Sequence, residues 1–148
     1  MNVATILLSM YCMLFTPSNH NTDVCKVVIK VTGIRSNAGD IKYGVYPNQK
    51  SFEDDKPMLE KAIGKANIKD GTVQGDIYLT PGQYGIALVD DENNNGKMDF
   101  GFILPDEGFG FSNYYHSSFS LSRPPLKKFA FTAIAGQTVY VTCKVKYM

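Results

Sequence analysis

The feature that most constrains the fold of this chain is the alternation of apolar and polar residues at a period of two. In the segment CKVVIKV, Cys25, Val27 and Ile29 fall on one face of an extended strand, and Lys26 and Lys30 fall on the other. The same alternation closes the chain in TVYVTCKVKY. This period belongs to a β-strand with one face buried and the other in solvent. The chain is therefore predicted to form half-buried strands in antiparallel sheets.

Four further segments have strand patterns, and turn residues separate them. The segments are DIKYGVY, VQGDIYL, QYGIALV and KFAFTA. Residues 36–39 predict a hairpin, and the sequences TPG at 80–82 and AGQ at 135–137 predict tight turns, since Pro fixes φ and Gly accepts a positive φ. Strands at this spacing are typical of sandwiches and barrels. We predict an all-β antiparallel β-sandwich of about seven strands.

One segment departs from the alternation. In SFEDDKPMLEKAIGKAN, the apolar residues Met58, Leu59, Ala62 and Ile63 recur at helical spacing. The proline before them suits the first turn of a helix, and the following glycine suits its end. We predict one short helix of about two turns, inserted near residues 55–64.

The N-terminal segment NVATILLSMYCMLF is apolar and has the length of a signal-peptide core, too short to cross a bilayer as an anchor. We predict a leader at residues 1–21 and a single domain at residues 22–148. This division predicts a protein that is secreted, or in the periplasm or cell envelope, with no transmembrane anchor once the leader is removed. The alternative is that the apolar segment is a buried part of the fold.

Removal of the leader would leave two cysteines, Cys25 in the first predicted strand and Cys143 in the last. An oxidising compartment would allow a disulfide between them, provided that their Cα atoms lie within about 7 Å of each other. The alternative is two unpaired thiols used as small core residues. The net charge is +1, from 15 basic and 14 acidic residues. Because nucleic-acid-binding domains carry a clustered basic surface, we expect no nucleic-acid partner.

The stretch VDDENNNGKMD, directly after the predicted strand QYGIALV, concentrates side-chain oxygens in one turn. Its central residues fit D-x-[DN]-x-[DN]-G, the first half of a calcium-binding loop. Alternate residues place their oxygens on one side of a tight arc, and the glycine permits the bend. The predicted ligands in this loop are Asp91, Asn93, Asn95, the main-chain carbonyl of Lys97, and Asp99.

The loop is not an EF-hand, because its twelfth position is Phe102 rather than a bidentate Glu and its flanks are strands. A completing ligand would have to come from Asp90, Asp106 or Glu107. We expect a structural Ca²⁺, since oxygen ligands on a flexible loop favour Ca²⁺ over Mg²⁺ and softer metals need Cys or His.

Two explanations of the acidic loop stay open. Without a cation, four carboxylates in one turn (Asp90, Asp91, Glu92 and Asp99) would repel one another, and this favours a bound metal. The alternative is a turn in which Asn and Asp side chains bond their own backbone, for which these residues are common.

The segment LPDEGFGFSNYYHSSFS is rich in glycine and aromatic residues. It matches neither the dinucleotide fingerprint nor the nucleophile elbow, and a Ser112–His116 triad with an acid rests on residue types alone. Either the aromatic side chains cap the core, or Tyr114, Tyr115 and His116 form an exposed platform for a sugar ring or a protein. The candidate partner-binding residues are Phe109, Phe111, Tyr114, Tyr115 and His116.

The order of these motifs resembles the DUF2141 family of uncharacterised secreted or periplasmic bacterial proteins, which is frequent in Bacteroidetes. The resemblance is carried by PGQYGIALVDDENNNGKMD, PDEGFGFSN, RPPLKKFAF and the last strand, and it covers about residues 26–147. It implies a β-sandwich of immunoglobulin-like or transthyretin-like character with a signal peptide, and no assigned activity. The family's motifs map onto Asp91, Glu92, Asn93, Asn95, Gly96 and Asp99, and onto Glu107, Gly108, Phe109, Gly110, Phe111 and Ser112. Asp90 stands where the family often has His.

Three functions are compatible with these patterns. The preferred one is a secreted, non-catalytic module that binds a structural Ca²⁺ and presents loops to a protein or carbohydrate partner. The second is a hydrolase acting on a glycan, with or without a metal, through the carboxylates of Asp90, Asp91, Asp99 and Glu107. The third is a structural protein of the cell envelope, which predicts an exposed apolar face or edge.

Overall fold

The computed structural model describes residues 23–96, 106–115 and 122–148. The described residues form eight strands and two short helical segments, listed here in chain order. They are β1 (Cys25–Thr32), β2 (Asp40–Tyr46), α1 (Gln49–Glu53), β3 (Leu59–Gly64), β4 (Val73–Leu79), β5 (Gly82–Asp91), β6 (Gly108–Phe111), a 3₁₀ turn (Leu126–Lys128), β7 (Ala130–Ala133) and β8 (Thr138–Lys144). The all-β prediction is confirmed, and β3 and β6 add to the six strands read from the sequence.

The strands form two sheets. One has the order β4-β1-β8, and the other has the order β3-β2-β5-β6 with β7 also paired to β5. All pairs are antiparallel except β1 with β8, which are parallel with Lys26 opposite Thr138. The last strand was predicted to be antiparallel, so its direction is a correction.

The predicted hairpin at residues 36–39 is wrong. β1 and β2 belong to different sheets, so the turn between them is an arch that crosses from one sheet to the other. The tight turns before β5 and before β8 also cross between sheets. Each crossing lets a strand bury its apolar face against the opposite sheet, and this is the pairing that a sandwich core requires.

The main core lies between the two sheets and is formed by their inward-facing side chains. It includes Cys25, Val27, Ile29, Val31, Ile41, Tyr43, Val45, Ile77, Leu79, Tyr84, Ile86, Leu88, Phe131, Val141, Cys143 and Val145. A second apolar cluster lies on the other face of the five-stranded sheet and comprises Tyr46, Phe52, Phe111, Leu126 and Phe129. Gly85 leaves room for this cluster, since a Cβ there would lie 2.5 Å from the Phe129 ring.

The helix predicted near residues 55–64 is misplaced. The helix is α1, at Gln49–Glu53, where the Asn48 side chain accepts a hydrogen bond from the backbone N–H of Ser51. Asp55 has a φ of 53°, which ends the helical conformation. Residues 59–64 instead form β3 at the edge of the sheet, paired with β2. The spacing of Leu59 and Ile63 fits both periods, and pairing with β2 decides between them.

The disulfide considered between Cys25 and Cys143 is absent, and both thiols are free and buried. Cys143 lies opposite Val31 in the parallel pair, so the two cysteines are six positions apart in register. Six positions along a strand are about 20 Å, far beyond disulfide reach. Among the described residues, no helix has both the length and the apolar character needed to cross a membrane.

Candidate cation loop and aromatic cleft

The acidic loop begins at the end of β5, where Asp91 is completely buried. Its carboxylate accepts hydrogen bonds from the backbone N–H groups of Asn95, at 3.0 Å, and Gly96, at 2.8 Å. The Asn93 side-chain oxygen also accepts from the N–H of Asn95. Positive φ angles at Asn94 (57°) and Gly96 (75°) bend the chain. The first half of the loop is therefore a tight arc around the Asp91 carboxylate.

Glu92 turns out of this arc and contacts the turn between β1 and β2. Its carboxylate lies 2.5 Å from the Arg35 guanidinium and accepts a hydrogen bond from the Ser36 hydroxyl at 2.6 Å. The hydrogen bond from Arg35 lowers the pKa of Glu92, and burial opposes that shift. Arg35 also donates to the carbonyl of Asp106. One arginine thus contacts the chain on both sides of residues 97–105.

Asp90 points inward, at the end of the sandwich core, and is completely buried. It forms an ion pair with Lys65, whose side chain is also buried, and it accepts a hydrogen bond from the Tyr147 hydroxyl. Lys65 donates to the carbonyl of Ala38 at 2.6 Å. Burial and the hydrogen bond to Asp90 both raise the pKa of Tyr147. Two opposite charges therefore sit in an apolar setting, each held by its partner and a further hydrogen bond.

These contacts remove most of the charge repulsion that the sequence suggested. Asp90 is balanced by Lys65, Glu92 by Arg35, and the Asp91 carboxylate by two N–H groups. A cation is therefore not required to neutralise Asp90 or Glu92, whereas Asp91 has only neutral donors around it among the described residues. Within residues 23–96, 106–115 and 122–148, no set of three or more His, Cys, Asp or Glu is arranged to hold a metal ion. The candidate ligands Lys97 and Asp99 lie outside the described residues.

Glu107, the candidate completing ligand, is buried beside the loop. The pairing of β5 with β6 puts Gly108 opposite Asp90, and the next position of this register puts Glu107 opposite Asp91. Close packing fixes this approach, since a Cβ on Gly108 would lie 2.4 Å from the Val145 side chain. The two acidic segments are thus brought together at one end of the five-stranded sheet. Ligation by Glu107 remains a prediction.

The GFGFS segment packs into the second apolar cluster, on the outer face of the five-stranded sheet. Phe111 is buried in that cluster, and Phe109 is half-buried and packs against it. The buried Ser112 hydroxyl donates to the carbonyl of Phe129 at 2.6 Å and accepts from the N–H of Ile86 at 2.9 Å. Phe111, a candidate partner-binding residue, is thus buried among these aromatic rings, as the core-capping alternative expects. Ser112 is positioned to join β5 to the chain before β7, and not to act as a nucleophile.

An open cleft follows this segment at the edge of β8. It has a volume of about 270 Å³ and is lined by Asn113, Tyr114, Tyr115, Thr142 and Lys144. Two hydrogen bonds join Asn113 to β8 and so fix this wall of the cleft: the Asn113 N–H donates to the Thr142 carbonyl, and the Thr142 N–H donates to the Asn113 side chain. The Lys144 ammonium lies 4.7 Å from the centre of the exposed Tyr115 ring. His116, the third predicted platform residue, lies outside the described residues.

The sequence did not predict the roles of Lys65, Tyr147 and Arg35. Lys65 and Tyr147 contact Asp90, and Arg35 contacts Glu92. Lys65 follows an edge strand and looks like any solvated lysine in the sequence, so no signal marks its burial. Tyr147 carries a weak signal, since it follows the alternation of the last strand. Arg35 stands alone in a turn, and its partners are distant in sequence.

The fold and the site define a class: a small β-sandwich with an acidic loop at one end and an aromatic cleft beside its last strand. A family model described as "Uncharacterized protein conserved in bacteria (DUF2141)" matches residues 29–141, from within β1 to within β8. The chain belongs to this family, as the motifs indicated. Comparisons with curated proteins and with solved structures gave no match.

Proposed function

We propose that this protein is a non-catalytic binding module, secreted or located in the periplasm or cell envelope. Its loop after β5 holds a structural Ca²⁺, and its aromatic cleft binds a glycan or protein partner. The location is supported by the apolar leader-like segment at residues 1–21. The observation that carries the cation site is the arc around Asp91, with Asn93 and Asn95 at alternate positions and the bend at Gly96.

The ligand set follows from the number of oxygens that calcium requires. Ca²⁺ takes six to eight oxygens at about 2.3–2.6 Å, so the side chains of the arc need further ligands. We assign these to the Lys97 carbonyl, Asp99 and Glu107. Asp90, first considered as a ligand, is better explained as the counter-ion of Lys65 beneath the loop, because both partners are buried.

The same contacts support binding rather than hydrolysis. A glycosidase needs two accessible carboxyl groups about 5–10 Å apart. Of the four acids that a hydrolase would use here, Asp90 and Asp91 are engaged by partners within the fold, and Glu107 is buried. The fourth, Asp99, lies outside the described residues. None of the contacts among the described residues favours the hydrolase.

Thermal melts of the purified protein test the cation site. After EGTA treatment, we expect Ca²⁺ to raise Tm more than Mg²⁺ does, because the oxygens lie on a loop that can adopt the larger coordination shell. A hundredfold excess over Kd stabilises the folded state by about 2.7 kcal/mol, or roughly 10 °C for a domain of this size.

Substitutions of single predicted ligands test whether the calcium-dependent shift in Tm comes from this loop. Asp91→Asn and Asp99→Asn should abolish the calcium-dependent shift, and Glu107→Gln should reduce it. Glu92→Gln is the control, because Glu92 is held by Arg35 outside the arc and the shift should persist. Asp91 also accepts hydrogen bonds from the backbone, so its substitution lowers Tm even without a metal. The readout for each variant is therefore the difference between its Tm in Ca²⁺ and its Tm in EGTA. No shift in the parent protein, or the same shift in Asp91→Asn and Asp99→Asn, would refute a cation in this loop.

A further inference from the structure

The outer face of the three-stranded sheet combines exposed tyrosines with lysines. Alternate residues of its strands point away from the core: Gln74, Asp76 and Tyr78 of β4, Lys26, Val28 and Lys30 of β1, and Thr138, Tyr140, Thr142 and Lys144 of β8. We call this surface the tyrosine face. Thr142 and Lys144 also line the cleft beside Tyr115, so the tyrosine face and the cleft are continuous.

The tyrosines on this side of the molecule are unusually exposed. Tyr78 is 61% exposed, Tyr140 is 74% exposed and Tyr115 is 47% exposed. In the described part of the chain, the other large apolar side chains with comparable exposure are Met58 and Ile134. An exposed aromatic ring offers a flat apolar surface at low entropic cost, and this makes tyrosine a frequent contact residue in binding sites.

The register spaces Tyr78 and Tyr140 diagonally across the tyrosine face, and Tyr115 lies further along β8 beside Lys144, so the three tyrosines follow a bent line. Tyr78 lies in the row of Lys26 and Thr138, and Tyr140 lies one outward row further along β8. With strands about 4.8 Å apart and outward residues about 6.6 Å apart, the Cα atoms of Tyr78 and Tyr140 are about 12 Å apart. Tyr115, beside Lys144, extends the line to roughly 25 Å. A line of this length matches an extended polymer better than a single small molecule.

The charges on the tyrosine face indicate that its partner is negatively charged. The outward residues of the three strands include three lysines and one aspartate, and Lys26 pairs with Asp76 at 3.4 Å. No carboxylate of this face remains for Lys30 and Lys144. Because these two cations flank the line of rings, the surface complements a chain with apolar ring faces and widely spaced negative charges.

We propose that the tyrosine face binds an acidic polysaccharide, a linear chain of pyranose rings with a carboxylate on some of them. The C–H faces of the sugar rings stack on Tyr78, Tyr140 and Tyr115, and the carboxylates pair with Lys30 and Lys144. This inference rests on the glycan-binding part of the proposed function, and it does not require the cation.

Two other partners fit the surface less well. Single-stranded nucleic acid has one phosphate per base and needs a groove of many cations, whereas the whole chain has a net charge of only +1. A second copy of the chain would need an interface core depleted of charge. Lysines, threonines and an aspartate surround the tyrosines instead.

Calorimetric titration of the full protein in EGTA and moderate salt tests the proposal. The probes are a hyaluronan octasaccharide and a polygalacturonate octamer, with cellohexaose as the neutral chain and oligo(dT) as the nucleic acid. We expect the acidic oligosaccharides to bind at least tenfold more tightly than either comparator. Tyr140→Ala and Tyr78→Ala should each weaken binding about tenfold or more, by analogy with aromatic stacking platforms. Lys30→Gln should weaken it severalfold and reduce its salt dependence.

Met58→Ala is the matched control, because Met58 is 51% exposed and precedes β3 in the other sheet. It should leave the affinity unchanged, and melts check that every variant is folded. Failure of both acidic probes to bind, equal affinity for cellohexaose, tighter binding of oligo(dT), or self-association abolished by Tyr140→Ala would overturn the proposal. Binding in EGTA, and its retention in Asp99→Asn, separates this result from the outcome of the calcium experiment.

Discussion

At the scale of single residues, the charged pair of Lys65 and Asp90 closes one end of the sandwich core. Both side chains are buried, and each makes one further hydrogen bond: Lys65 donates to the carbonyl of Ala38, and Tyr147 donates to Asp90. Replacing Lys65 by Met would leave a buried carboxylate without its counter-charge, which costs about 3–5 kcal/mol. Urea denaturation at neutral pH should therefore show a large fall in the free energy of unfolding.

Two comparisons separate this effect from simple loss of a side chain. Lys61→Met, at an exposed position of the preceding strand β3, should change stability by less than about 0.5 kcal/mol. Lys65→Met combined with Asp90→Leu should recover much of the loss, because no lone charge remains. A single Lys65→Met variant as stable as the parent would contradict the buried pair.

The candidate site shows what a sequence can reveal at this scale. The alternation of Asp91, Asn93 and Asn95 before Gly96 predicts an arc, and the backbone bonds to Asp91 form one. The sequence could not show that Asp90 has a lysine partner 25 positions earlier, since burial of Lys65 depends on where β3 ends against the arch after β1.

At the scale of elements, the GFGF motif matters because β6 lies very close to the end of the chain. Backbone bonds in both directions join Phe109 to Lys146. A Cβ on Gly108 would lie 2.4 Å from Val145 and 2.5 Å from Tyr147. Gly108→Ala must therefore displace packed side chains, and we expect a cost of roughly 1–3 kcal/mol in chemical denaturation.

Gly64→Ala provides the matched control in a strand. Its Cβ would meet nothing closer than Asp40 Oδ1 at 3.7 Å, so stability should stay within about 0.5 kcal/mol of the parent. Equal stability of the two alanine variants would mean that β6 does not approach the chain terminus as described.

The alternation of apolar and polar residues predicts the strands but not how they pair. Six strands follow directly from alternation, because each needs only its own residues to define a buried face. Their partners do not follow, since the short turns before β2, β5 and β8 connect strands of different sheets. The residues of β3 show the same limit: an apolar spacing of four fits a helix or a strand, and contact with β2 decides.

At the scale of the whole molecule, the first and last strands lie side by side. β1 is the central strand between β4 and β8, and its parallel pairing with β8 joins residues more than a hundred positions apart. β8 and the residues after it also supply Val141, Cys143 and Val145 to the core, and Tyr147 to Asp90. The chain therefore completes its core only when its last strand is in place.

Deletion of residues 138–148 should consequently abolish cooperative unfolding rather than merely lower Tm. The deletion leaves one edge of β1 unpaired and opens one side of the core. Near-ultraviolet circular dichroism and thermal melts would show loss of fixed aromatic packing and no sharp transition. Tyr147→Phe is the paired variant: it removes only the hydroxyl that donates to Asp90, so it should unfold cooperatively at a reduced Tm. A truncated chain that melts sharply with native aromatic signals would show instead that β1 to β7 fold without β8, and that the last strand serves the tyrosine face alone.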